Sequence, residues 1–191
     1  LTYNSEKFAF KKNLYGIYDS IFNLKYILAI LNSKLFSFCQ VNFNTSLQRD
    51  DFPAFSLNDF KNFPIPKISD KLQTPFIEKA DVMLSLNQSF HSKLQNFIQR
   101  LKDNLSLDKV TKRIETFYER DFKDLIDELG KSKIKIPLKS QVEWQEYFNE
   151  CKNELMELKS KIEETDKEID IMVYGLYGLT EEEIAIVEGR E

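Results

Sequence analysis

The longest regular pattern in the chain is a row of inward-type residues at alternating steps of four and three. Trp144, Phe148, Cys151, Leu155, Leu158, Ile162, Thr165, Ile169, Met172 and Leu176 follow one another without a miss, flanked by Lys and Glu. Such a heptad seam predicts a long helix with one buried edge. Ser140-Gln141-Val142-Glu143 just ahead of it reads as a capping box that starts the helix. A second repeat lies upstream. Phe76, Met83, Phe90 and Phe97, with Ile77, Leu84, His91, Ile98 and Leu105 beside them and Ala80, Leu94 and Leu101 filling in, form a wide apolar stripe. Thr74 as cap and Pro75 at the first helical position mark its start. Two heptad-bearing helices in one chain predict an antiparallel coiled-coil pair, although the pattern leaves open whether they pair within or between chains.

Shorter elements surround these two. Leu24, Ile27, Leu28, Leu31, Leu35 and Phe38 predict a helix capped by Asn23. Residues 5–18 alternate roughly enough to predict one or two short strands. Residues 41–68 are irregular, since Pro53, Pro64 and Pro66 exclude a long helix, and "FPIPKI" predicts an extended, edge-like segment. A helix restarting at Ser106 or Asp108 is expected to bury Val110, Ile114, Phe117, Leu125 and Leu129 and to end at Gly130. At the far end, Gly175 or Gly178 is expected to stop the long helix in the left-handed conformation. Thr180-Glu181-Glu182-Glu183 then caps a short helix, with Tyr174 and Tyr177 under the turn. This predicts a closing clasp rather than an active site. The expected fold class is mainly α (α+β), with a small α+β portion followed by long antiparallel coiled-coil helices.

Composition sharpens this picture. The 191 residues are 42% hydrophobic and 30% charged, with 16 Phe and 8 Tyr but only 5 Gly and 5 Pro, as expected of a folded, helix-rich protein. Cys39, Cys151 and the single His91 cannot form a zinc site from nitrogen and sulfur alone, and two cysteines predict a reducing, cytoplasmic setting. No apolar run is long enough to span a membrane, and no signal-peptide pattern is present. A chain that begins at Leu1 inside ongoing structure is expected to be part of a longer protein. Charge divides unevenly: residues 1–113 hold 16 Lys and Arg against 10 Asp and Glu, and residues 114–191 hold 11 against 21. The first part is a candidate anion-facing surface.

Catalytic patterns are missing. There is no phosphate loop, dinucleotide fingerprint or nucleophile elbow. His91 is expected at the edge of a core, both cysteines as small buried hydrophobes, and Asp50-Asp51 beside Arg49 facing solvent.

Three segments together carry a resemblance: "YILAILNSKL" at 26–35, "FPIPKISDKLQTPFIEKADVML" at 63–84, and "EWQEYFNECKNELMELKSKIEETDKEIDIMVYGLYGLTEEEIAIVE" at 143–188. The combination resembles the C-terminal region of bifunctional type IIG restriction–modification enzymes, which carry a TaqI-like C-terminal specificity domain. It is also similar to type I restriction specificity subunits. The resemblance implies a parent enzyme with a nuclease domain, Mg, and an adenine methyltransferase domain using S-adenosylmethionine. The present chain, lacking an Asn-Pro-Pro-Tyr methylase motif and an Asp…Glu-x-Lys nuclease motif, would bind and position without a catalytic residue, cofactor or metal of its own. Its partners would be double-stranded DNA and the methyltransferase domain of the same polypeptide. Residues 1–70 would be the C-terminal part of a DNA target-recognition domain, and residues 71–191 a helical spacer with the clasp.

The residues themselves single out a recognition surface. Lys11, Lys12 and Arg49 are the candidate phosphate contacts, and Asn42, Asn44 and Gln48 the candidate base readers, because they fall outside every apolar pattern and on the basic half. The alternative is a purely structural coiled-coil module for domain or subunit docking, in which the basic charge is incidental.

Overall fold

The computed structural model describes residue 3, residues 16–17, residues 20–43 and residues 61–190. Its helices are α1 (Leu24–Asn32), α2 (Lys34–Phe43), α3 (Asp70–Leu105), α4 (Lys112–Glu115), a 3₁₀ turn (Phe117–Glu119), α5 (Phe122–Lys131), α6 (Leu138–Tyr177) and α7 (Glu181–Val187). Among the described residues there is no strand. The expected strands at 5–18 fall almost wholly outside them. Residues 64–69 are non-helical and pair with no strand there.

The chain divides into two compact units. The first comprises Leu1–Leu84 with Glu164–Glu191, and the second Ser85–Glu163. Both long helices supply residues to each.

In the second unit the core is aromatic. Phe97, fully buried, stacks on Phe117 with ring centroids 3.8 Å apart, and Phe148 approaches Phe117 at 5.4 Å and Phe122 at 5.5 Å. Ile98, Leu101, Leu107, Ile114, Leu125, Leu129, Ile136 and Leu155 complete it. The expected single helix over 106–130 is instead three pieces. Its apolar row has a gap at Asp121, and Asp121 serves as the N-cap of α5, an Asp-favoured position, with the Asp124 carboxylate accepting from its N–H at 3.2 Å. Gly130 does not end α5 in the left-handed region. Lys133 does (φ 61°), and the Ile134 N–H returns to the Leu129 carbonyl at 3.1 Å.

Two helix starts also differ from expectation. α6 begins at Leu138, directly after Pro137, and Ser140 donates its N–H to the Pro137 carbonyl at 2.9 Å. Ser140 is thus a third helical residue and not a cap, because the proline sets the boundary three residues earlier. α3 begins at Asp70, so Pro75 lies inside it. The amide that proline lacks would have bonded the carbonyl of Lys71, an exposed residue in the first turn of the helix. His91 is exposed rather than at a core edge.

The first unit packs α1 and α2 with the start of α3 and the end of α6. Tyr26, Ala29, Ile30, Leu35, Phe76, Ile169, Val173 and Tyr174 form one buried cluster, and Ile27, Leu31 and Phe36 another. The clasp forms as expected, and Gly178 (φ 68°) is the glycine that stops α6, the Leu179 N–H closing on the Tyr174 carbonyl at 3.1 Å. The Thr180 box is complete: Glu183 donates its N–H to the Thr180 hydroxyl at 3.3 Å, and Thr180 donates its N–H to the Glu183 carboxylate at 2.8 Å.

Candidate nucleic-acid interface

The candidate recognition segment, residues 42–51, leaves directly from the end of α2. Asn42 lies on the last turn of that helix, exposed, with its amide donating to the Phe38 carbonyl at 2.9 Å. Lys11, Lys12, Asn44, Gln48 and Arg49 lie outside the described residues. What the structure describes is therefore how the helix leading into the segment is held.

α1 and α2 are separated by Ser33, an extended residue (ψ 158°) that is almost fully buried. Its hydroxyl donates to the Ile30 carbonyl at 2.7 Å and accepts from the Phe36 N–H at 3.3 Å, closing one helix and capping the next. The predicted uninterrupted helix over 24–38 thus bends at the residue best suited to cap a new start.

The first amide of α2 has a partner far along the chain. Lys34 N–H donates to Asp170 Oδ1 at 2.8 Å. Asp170 is 2% exposed, and among the described residues its Oδ2 accepts no hydrogen bond, with the Lys34 ammonium 3.8 Å away. Burial pushes its carboxyl above the ordinary range, against the Lys34 amide bond that lowers it. The Lys34 ammonium is also 3.8 Å from Glu188, which pairs with Arg190 and accepts from the Tyr174 hydroxyl at 3.4 Å. Lys34 therefore faces carboxylates of the clasp, and its charge is locally neutralised.

The extended segment at residues 64–69 is held at two carbonyls. Tyr26, fully buried, donates its hydroxyl to the Pro66 carbonyl at 2.8 Å, and Tyr177 donates to the Pro64 carbonyl at 2.6 Å. Burial pushes both phenols up, so they stay protonated donors. Gln73 joins the same framework, accepting from the Asn23 N–H and donating to the Ile68 carbonyl, each at 3.2 Å. Of the cations near this region, Lys25 is engaged with Asp81, and Lys79 with Glu168. Lys61, Lys67 and Lys71 are exposed and form no ion pair among the described residues.

Asp170 and Gln73 were not among the residues expected to matter. The signal for Asp170 is a second row on α6, in which Asp170, Val173, Tyr174 and Tyr177 run parallel to the seam. There a wide arc of the helix faces inward, and the carboxylate is its one charged member. Cys39 and Cys151 are both partly buried and free, with thiols pushed up by burial, as suits packing rather than nucleophilic chemistry. Among the described residues no cluster could hold a metal ion, and no helix is long and apolar enough to cross a membrane.

The start of α2 is thus held by the Ser33 hydroxyl from within and by the Asp170 carboxylate from α6. The chain belongs to the family described as domain of unknown function (DUF8810), which matches residues 69–173. Residues 1–65 match the TaqI-like C-terminal specificity domain. That match supports a restriction–modification specificity domain in the first third of the chain, and with it DNA sequence recognition by a non-catalytic region. Searches of curated proteins and of solved structures returned no match.

Proposed function

We propose that this chain is the target-recognition and spacer region of a type IIG enzyme that is both restriction endonuclease and adenine methyltransferase. The carrying observation is the specificity-domain match over residues 1–65, continuous with a helical region whose C-terminal end returns to hold α2. In this proposal residues 1–70 read DNA and residues 71–191 space and dock the methyltransferase domain of the same polypeptide. S-adenosylmethionine and Mg belong to the parent enzyme's other domains. The long helices serve as an antiparallel coiled-coil spacer. Two ion pairs support that register: Lys79 with Glu168 in the first unit and Lys93 with Glu154 in the second, where residue numbers rise on one helix as they fall on the other.

Within this function, Lys11, Lys12 and Arg49 bind phosphates, and Asn42, Asn44 and Gln48 pair with base edges. The test is binding of the full chain to duplexes selected from a randomised pool and to scrambled controls, across a salt series. Lys11→Ala with Lys12→Ala should weaken binding to both and lower the salt slope by about one for each phosphate no longer neutralised. Gln48→Ala or Asn44→Ala should change which sequence is preferred. Wild-type affinity, slope and preference in all these variants would leave the long helices as a docking module without a role in reading DNA.

A further inference from the structure

The connector between α5 and α6, in the second unit, runs against the charge of the half that contains it. Residues 114–191 hold 11 Lys and Arg against 21 Asp and Glu, yet residues 129–142, "LGKSKIKIPLKSQV", hold four lysines and no acid. Ile134 is half-buried and Ile136 buried against the aromatic core, while Lys133 and Lys135 are exposed. Alternation thus turns these two lysines outward. The backbone that carries them is fixed at both ends: the Lys133 N–H donates to the Gly130 carbonyl at 2.9 Å, and the Gln141 side-chain amide donates to the Ile136 carbonyl at 3.2 Å. Two of the lysines stand where local energetics disfavour them. Lys133 has φ 61°, a left-handed position that helix ends commonly give to Gly or Asn. Lys139 is the second residue of α6, whose first turn holds no acid, so its cation meets the positive end of the helix. No carboxylate offsets either cost. Lys133, Lys135 and Lys139 form no ion pair among the described residues, not even Lys139 with Glu143 one turn on. Elsewhere in the unit Lys93, Lys131, Lys152 and Lys159 each meet a carboxylate.

We infer that the α5–α6 connector is a phosphate-contact site for duplex DNA, at which Lys133, Lys135 and Lys139 neutralise the backbone. This rests on the DNA-reading function proposed above and extends contact into the region given there to spacing. Charge complementarity decides the partner. Three exposed ammonium groups on one short connector, with no carboxylate among them, suit a ligand whose negative charge repeats along its length. The fixed backbone presents them without the cost of ordering a loop on binding. A lysine ammonium acts as a point charge toward phosphate and carries no sequence information. The connector therefore sets general affinity and its salt dependence, and leaves sequence preference alone.

The experiment uses the full chain, with a duplex enriched by wild type from a randomised pool and a scrambled duplex as probes, each titrated across a salt series. Replacing all three lysines with Gln should lower the slope of log affinity against log salt by about three, roughly one for each phosphate no longer neutralised. Binding to both duplexes should weaken by the same factor, so that their ratio does not change. Replacing them with Arg keeps the charge and should retain the slope. Lys133→Gly separates contact from packing: glycine suits the left-handed backbone, so the denaturant midpoint should rise while the slope falls by about one. That variant decides the matter if the triple Gln variant does not fold. Lys161→Gln removes a cation of the same unit that is paired with Glu157, and should leave the slope as in wild type. A wild-type slope in the triple Gln variant or in Lys133→Gly, or an equal fall in Lys161→Gln, overturns the inference while DNA reading stands. Duplex binding that enriches no sequence, with the slope falling as stated, overturns the reading and keeps the contact. A wild-type chain that binds no duplex overturns both.

Discussion

The two units keep opposite kinds of interior. In the second unit the buried core is nearly all apolar, built on Phe97, Phe117 and Phe148, with Glu128 as its buried charged residue. Glu128 lies at the margin, where Lys131 at 2.6 Å and Thr111 at 2.9 Å satisfy it. In the first unit Ser33, Gln40, Gln73, Thr165 and Asp170 are all buried among the aliphatic and tyrosine side chains. Apolar contact is strong but nearly indifferent to direction, whereas hydrogen bonds add little net energy and fix angles and distances. The difference teaches that the second unit is held together mainly by non-directional contact, whereas the first adds buried groups whose bonds fix direction. Three of them, Ser33, Gln73 and Asp170, bond the starts of α1 and α2, the end of α1 and the Ile68 carbonyl.

The contrast can be broken most directly at Phe97. Phe97→Ala should cost about 3–5 kcal/mol, read as loss of amide-exchange protection throughout the second unit, with the first unit far less affected. Equal loss in both would mean they unfold as one body. Next in size, Leu155→Ala should cost about 2–5 kcal/mol. Leu158→Ala should cost clearly less, because Leu158 is only half-buried and belongs to neither cluster. Denaturant midpoints for the two variants are the measurement.

Smaller still, Tyr26→Phe should cost about 0.5–1.5 kcal/mol by removing the bond to the Pro66 carbonyl. Its mark should be faster exchange at residues 64–69 rather than a large shift in unfolding. Acid titration sharpens the same contrast through sign. The Lys131 and Thr111 bonds hold Glu128 below its ordinary range, so its stabilisation is full above the unfolded value and is lost as pH falls through the folded one. Asp170 is raised by burial, so its effect runs the other way, with stability falling as pH climbs from the unfolded value through the folded one. Asp170→Asn should remove that decline from the first unit and leave the acid loss of the second unchanged. The smallest effect belongs to Lys93→Ala, at an exposed pair with Glu154, which should cost below about 1 kcal/mol and fade with salt.

Much of this fold was legible as pattern. Every residue of the α6 seam from Trp144 to Leu176 is buried or half-buried, because periodicity reports which face meets other side chains. Asn23, Gly178 and Thr180 were legible for a similar reason, since each solves a local problem with a local group. Long-range partners left no such trace. Asp170 sits among "KEIDIM" like any solvated acid, and only the arrival of α2 makes it a cap. Helix starts were misplaced where two local signals competed, Pro137 against Ser140 and Asp70 against Thr74, and the earlier signal prevailed in each. The arrangement of Lys11, Lys12, Asn44, Gln48 and Arg49 lies outside the described residues and rests on sequence alone.

The discontinuity of the first unit has a consequence for biosynthesis. Its two stretches, Leu1–Leu84 and Glu164–Glu191, are separated by roughly eighty residues that form the other unit. As the ribosome delivers the chain, Ser85–Glu163 can collapse on its own contiguous contacts, whereas α1 and α2 must wait for the stretch of message encoding Asp170, Tyr174 and Tyr177. A chain truncated before Glu164 would keep α1 and α2 but lack Asp170, Tyr174 and Tyr177, the groups on α6 that bond the Lys34 amide, the Glu188 carboxylate and the Pro64 carbonyl.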